Sequence, residues 1–144
     1  ERKTRYPFIA YLEDRSNKNV NRLVEEMLRD IPIKSLTIDN DISFQKHEEL
    51  SEILDTAIYF CHPQSPNEKG TIENRNKAIR RYVKKRSDLS SFPLEHFKMV
   101  ETKLRTRFMK CLNFKTPEED FEKEILKTKK PLVCGIMREI LTTN

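Results

Sequence analysis

The strongest constraint in this chain is an alternation of hydrophobic period that runs from the amino terminus to Cys61. Between Lys18 and Asp30, Val20, Leu23, Val24, Met27 and Leu28, with Ile31 just beyond, recur at intervals of three and four, the period of a helix with one buried stripe. Pro32 stops that helix, and Ile33 to Ile38 then form a short apolar run of strand type that leads straight into Asp39-Asn40-Asp41. A second round follows, with a brief helix from His47 to Asp55 that turns Leu50, Ile53 and Leu54 inward, then the buried-strand composition of Ala57-Ile-Tyr-Phe-Cys61. Ahead of both rounds, Arg5 to Glu13 is short, aromatic-rich and partly alternating, a strand whose Pro7 suits an edge or a strand entry. Strand, helix and strand in repetition imply parallel pairing and an α/β fold. In such sheets functional groups gather at the carboxyl ends of the strands, which is where Asp39 lies.

Beyond Cys61 the helical period dominates. His62 to Gly70 carries two prolines and one of only two glycines in the chain, and reads as an exposed loop. A helix is expected from about Thr71 to Arg86, with Ile72, Ile79, Tyr82 and Val83 on one side and Glu73, Asn76, Lys77, Arg80 and Lys84 on the other. After a break at Asp88 to Ser91, Pro93 opens a helix to about Cys111 that turns Phe97, Val100, Leu104 and Phe108 toward the sheet. Thr116-Pro-Glu-Glu is a helix start, with proline in the first turn and acids at the positive end, for a helix reaching about Lys127. Pro131 to Leu141 is apolar and reads as a helix, either at an interface or packed on the core. The expected organisation is one α/β core over residues 1–127 and a C-terminal apolar helical tail over 128–144. Because the first strand begins almost at Glu1 without a turn or cap before it, the core is expected to be truncated at its amino terminus.

Charge narrows the class of partner. The chain of 144 residues carries a net charge of +5, and the excess is local, since Arg75, Lys77, Arg80, Arg81, Lys84, Lys85 and Arg86 crowd into one stretch. Such a cluster fits a polyanion, and equally a solvated helix face. Cys61, Cys111 and Cys134 are odd in number, far apart and set in apolar blocks, so they read as core thiols in a reducing compartment rather than as disulfides or zinc ligands. No run approaches the length of a membrane span, and a cytoplasmic location is expected.

Two carboxylates stand out by their supports: Asp39 at the end of an apolar strand and Glu73 at the head of a basic helix. Two magnesium or manganese ions held about 4 Å apart activate a water or a 3′ hydroxyl and stabilise a leaving oxygen, and they require clustered acids. Asp39 would ligate both ions and Glu73 one. By spacing alone the pair is weak evidence, because the chain has 23 acids, and a plain strand-end or helix-start acid explains each equally well. Asp41 either helps to hold a metal or perturbs Asp39 by repulsion, and is read as a surface acid.

Taken together, Thr37-Ile-Asp39-Asn40, the block Tyr59-Phe60-Cys-His-Pro63-Gln-Ser65-Pro66-Asn-Glu-Lys-Gly70-Thr-Ile-Glu73-Asn74-Arg-Asn76, Arg80-Arg-Tyr82 and Asp88-Leu resemble the catalytic core of IS30-family transposases, members of the DDE superfamily of transposases and retroviral integrases. Asp39 and Glu73 have 33 residues between them, a spacing similar to that between this family's second and third acids, and Lys110, Leu112, Phe114 and Thr116-Pro117-Glu118 resemble its closing motif. The resemblance covers roughly residues 1 to 122. It implies a ribonuclease-H-like fold, with a five-stranded mixed sheet flanked by helices, that cuts and joins transposon ends in DNA with two magnesium ions; a sheet edge left exposed by missing strands is expected to pair with another chain, which makes a homo-oligomer the expected state. It also implies a first aspartate on a strand that this chain lacks. Asp14 is the nearest upstream candidate for that role, though at the end of a different strand, and His47 and His62 are weaker candidates that structural roles explain better. On DNA, Lys77, Arg80, Arg81 and Lys84 would neutralise phosphates and Asn76 would touch base edges or sugars. Departures are Asp41, Asn67, Lys84 and Arg86 where the family has glycine, an aromatic, proline and glycine, and a faded basic motif at Arg105-Thr-Arg107. They keep open a second reading, a non-catalytic DNA-binding or scaffold remnant.

Overall fold

In the computed structural model the described residues are 1–39, 41–62, 66–127, 132–136 and 141–142; for 66–69, 71–72, 132–136 and 141–142 the description is of the backbone alone. The chain runs β1 (Tyr11–Leu12), α1 (Asn17–Leu28), β2 (Ile33–Ile38), α2 (His47–Leu54), β3 (Ala57–Phe60), α3 (Pro66–Ile79), α4 (Leu94–Arg105), α5 (Pro117–Lys127), β4 (Leu132–Ile136) and β5 (Leu141–Thr142). Single turns of 3-10 helix at Ile42–Phe44, Leu89–Ser91 and Lys110–Leu112 link them.

β2 is the middle strand of a three-stranded sheet ordered β3-β2-β4. Both pairings are parallel, Ser35 facing Ala57 and Ile38 facing Phe60 on one side, Leu36 facing Cys134 and Ile38 facing Ile136 on the other. β1 pairs with β5, also in parallel. Among the described residues each strand pair is therefore parallel, where the resemblance implies a mixed sheet.

The periodicity translates directly into packing. Val20, Val24 and Leu28 of α1 meet Leu36 and Ile38 of β2, Phe44 and Leu50 in one buried cluster, which Leu23, Met27 and Ile31 surround. Removing the Leu or Ile side chains of such a cluster from water contributes about 2 kcal/mol each. A second cluster joins Val83, Leu89 and Phe97, with Tyr11 and Phe92 packed against it.

Two expectations about regular structure are corrected. The segment from Arg5 is a strand only at Tyr11–Leu12. Its earlier residues are held by side chains instead of a ladder: Ile9 N donates to Glu101 Oε1 at 3.3 Å, Arg105 donates to the Tyr6 hydroxyl at 2.8 Å, and Tyr6 stacks on Phe121. The tail is the second correction, for Leu132–Ile136 is a strand on the central sheet and not part of a helix. A short unbroken apolar run fits a buried parallel strand as well as a helix, and the valine and glycine of Leu-Val-Cys-Gly-Ile tip the balance toward the strand.

Candidate active site and the helix that carries its second acid

Asp39 is set by β2. It follows Ile38 immediately and is half-buried, and Cys61 N donates to the Ile38 carbonyl at 3.0 Å, so the chain leaving β3 stays bonded to the residue before the acid. Next to it, Asp41 is a turn cap rather than a surface acid. Its Oδ1 accepts from Ser43 N at 2.9 Å, from Ser43 Oγ at 2.7 Å and from Arg15 Nη2 at 3.2 Å, with the carboxylate side chain only 12% exposed. Those donors partly offset the charge of the Asp41 carboxylate.

Glu73 lies on α3, and its side chain is exposed. The helix starts at Pro66, so the second half of the expected loop is helical and Gly70 sits inside it. Pro66 has the fixed backbone angle and missing donor that suit a first helical residue. At the other end α3 stops at Ile79, well before Arg86, because Val83 turns into the cluster with Leu89 and Phe97. Asn76 is half-buried near the end of α3 and Lys77 is exposed in its last turn, while Arg80 and Arg81 follow in a turn and Lys84 lies beyond it, all three exposed. The basic residues thus continue along a turn rather than down one helix stripe. Asp39 follows the carboxyl end of β2 directly, and Glu73 lies on α3, the element that comes after the paired strand β3 in the chain.

One residue fixes α3 that sequence reasoning counted only among the basic excess. The Arg75 guanidinium is largely withdrawn from water and donates through Nη2 to the Arg5 carbonyl, while the same nitrogen lies 2.9 Å from Met109 Sδ. Burial pushes the guanidinium below its ordinary value, and Arg5 and Arg107 nearby add to that. Nothing in the sequence signals this, since Arg5, Arg75 and Met109 are joined only by the fold.

The weaker candidates have structural roles. Asp14 accepts from Ser16 N at 3.1 Å and Asn19 Nδ2 at 2.9 Å, and the Ser16 hydrogen bonds hold its carboxyl below its ordinary value. His47 sets its ring edge-on to Phe60, and His62 is exposed. Of the cysteines, Cys61 is buried as expected, Cys111 is exposed against expectation, and the Cys134 side chain lies outside the described residues. Asn40 likewise lies outside them.

For a divalent ion the donor chemistry is of the right kind, hard carboxylate oxygens, from Asp39 at a strand end and Glu73 on a helix. The donor number falls short: among the described residues no group of three His, Cys, Asp or Glu side chains is placed to hold a metal ion. Among them, too, no helix is long and apolar enough to cross a membrane.

No protein-family model matches the chain. It is 34% identical over 131 residues to the transposase InsI of insertion sequence element IS30A from Escherichia coli K12, a match covering 89% of this chain and 34% of the relative. It is 40% identical over 93 residues to the transposase of insertion sequence element IS4351 from Bacteroides fragilis, covering 65% of this chain and 28% of that protein. The chain thus spans about a third of the length of the curated relatives it matches. Among solved structures it is similar to the catalytic core domain of BIV integrase, with a TM-score of 0.65 and 14% identity over 83% of this chain and 79% of that one. That likeness gives the fold, the ribonuclease-H-like α/β architecture of an integrase core. Along most of its own length the chain is thus homologous to the IS30 transposases, and it shares the fold of the integrase core.

Proposed function

We propose that this chain is part of the catalytic core of a DDE transposase and takes part in cleaving and joining DNA strands at transposon ends. The observation that carries the reading is the 34% identity to an IS30 transposase over 89% of the chain. Asp39 and Glu73 are assigned as two of the acids that hold divalent magnesium or manganese. When bound, two such ions supply activation of the attacking oxygen and stabilisation of the leaving one. The chain's own residues do the rest. β2 holds Asp39 at a strand end, Arg15 pairs with Asp41 while Ser43 donates to it, and Arg75 ties α3, which carries Glu73, to the Arg5 carbonyl. Lys77, Arg80, Arg81 and Lys84 bring the DNA backbone to that edge by neutralising phosphates, and Asn76 contacts base edges or sugars.

A homo-oligomer is part of this reading. β3 is an outer strand of the described sheet and exposes Tyr59 at 58% and Phe60 at 37%, an edge of the kind that pairs with another chain.

The test is strand cleavage and joining on a duplex carrying transposon-end sequence, by the full-length gene product with magnesium or manganese. Asp39→Asn and Glu73→Gln are each expected to lower the rate by at least about 1,000-fold with DNA affinity within about twofold of the unchanged protein. Activity that survives either substitution would remove that acid from the site.

A further inference from the structure

Residues 106–115 form a small closed loop between α4 and α5. Met109 N donates to the Lys115 carbonyl at 3.0 Å, Phe114 N to the Met109 carbonyl at 3.0 Å and Lys115 N to the Leu112 carbonyl at 3.1 Å, while Leu112 is buried beneath as an anchor. On this braced frame two phenyl rings face water, Phe108 at 68% and Phe114 at 69% exposure. A single exposed apolar side chain is ordinary, but two on ten residues of a hydrogen-bonded loop are not. Phe114 also takes a left-handed backbone, φ 61°, directly after Asn113 at φ 54°. For a bulky residue that conformation is strained, and strain of this kind collects at ligand contacts.

Charge decides the partner. Thr106 to Lys115 contains no acid, and the exposed cations Arg107, Lys110 and Lys115 interleave with the two rings. A protein partner would favour a centre depleted of charge, whereas alternating rings and cations match a strand that offers bases and phosphates in turn. The loop is also tied to the acid-bearing helix, since Arg75 on α3 reaches Met109 Sδ at the loop's base. We infer that loop 106–115 is a binding site for unpaired nucleotides of DNA, with Phe108 and Phe114 stacking on bases and Arg107 and Lys110 on the adjoining phosphates. The inference rests on the transposase reading above and adds to it a place where bases freed from the duplex are held beside α3.

The experiment uses the 144-residue chain and a duplex with a three-nucleotide 3′ overhang containing 2-aminopurine, with a blunt duplex as control. Anisotropy reports binding, and quenching of the 2-aminopurine reports stacking. Phe114→Ala and Phe108→Ala are each expected to weaken overhang binding by about 5- to 100-fold, with quenching lost and the dependence on salt unchanged. Phe114→Trp keeps both signals, and Lys110→Ala lowers the slope of log affinity against log salt by about one. Phe114→Gly relieves the left-handed backbone, so it raises the melting temperature while losing the overhang preference. Alanine variants that bind the overhang as tightly as the unchanged chain overturn the inference, as do variants that keep DNA affinity but change the sedimenting species, which would make the loop a contact between copies. If the unchanged chain binds neither DNA, the transposase reading fails with it; if it binds both equally and without quenching, only the loop assignment fails.

Discussion

β2 has parallel neighbours on both sides and buries Leu36 and Ile38 completely, whereas α3 exposes Glu73, Asn74 and Lys77 and is fastened to the N-terminal segment and the 106–115 loop through the side chain of Arg75. The first acid is thus held by the hydrophobic core and the ladder together, the second by a helix whose exposed face carries it and whose half-buried Arg75 is tied to two other segments. Core burial is redundant, since losing one contact leaves many others. A guanidinium that donates to one carbonyl is more readily lost, and an exposed helix face of this kind belongs to the less protected end of a fold.

Substitutions separate the two regimes. Leu36→Ala should remove about 2–5 kcal/mol of global stability, read as a lower urea midpoint with an unchanged slope; a loss under about 1 kcal/mol would mean that β2 is not the centre of the core. Arg75→Met removes the donor from the Arg5 carbonyl and should cost about 1–3 kcal/mol, concentrated in α3. Hydrogen exchange checks that concentration: amides of α3 should lose protection while those of β2 keep theirs, and uniform loss across both would abolish the contrast. Gly70→Ala should stabilise α3 by about 0.5–1 kcal/mol, because an added methyl group meets nothing within 4 Å and the position is helical. Unchanged or lower protection of α3 would show that the helix does not extend back to Pro66.

The smallest effect concerns pH. Glu101 of α4 is half-buried, and burial raises its carboxyl above the ordinary 4.5 despite the hydrogen bond from Ile9 N. A carboxyl raised in the folded state adds stability below 4.5 and loses it as pH climbs through the raised value. Glu101→Gln should therefore be more stable than the unchanged chain near neutral pH, by roughly 0.5 kcal/mol, with the advantage shrinking below pH 4.5. Melting temperatures across that range decide the matter, and an advantage that grows on acidification would refute it.

The legible parts of the fold were those governed by a local period. Ile33 to Ile38 is a strand over the range its composition gives, α1 and α2 lie within a residue or two of their expected limits, and Thr116 with Glu119 closes the reciprocal cap their spacing announces, at 3.1 and 3.2 Å. What escaped was decided by distant partners. The Pro and Gly of 62–70 look like loop residues until Pro66 is recognised as a helix opener. The strand at Leu132–Ile136 depends on β2, and the extended backbone before Tyr11 on Glu101 and on the ring of Phe121. At the site, Asp39 could be read because a strand end is a place in the sequence. The clamp on Glu73 could not, because it joins Arg5, Arg75 and Met109 only in space.

The pairing of β2 with β4 also bears on the order in which the molecule assembles. Ile38 and Ile136 are about 100 residues apart in the chain, so one flank of the central strand closes only after α2 to α5 have been made, while the other flank, β3, is supplied by the next strand in the chain through α2. Until residues 132–136 have been made, a nascent chain therefore carries β2 with one row of backbone donors and acceptors unoccupied, and β4 acts as a late seal on an edge open to pairing with another chain.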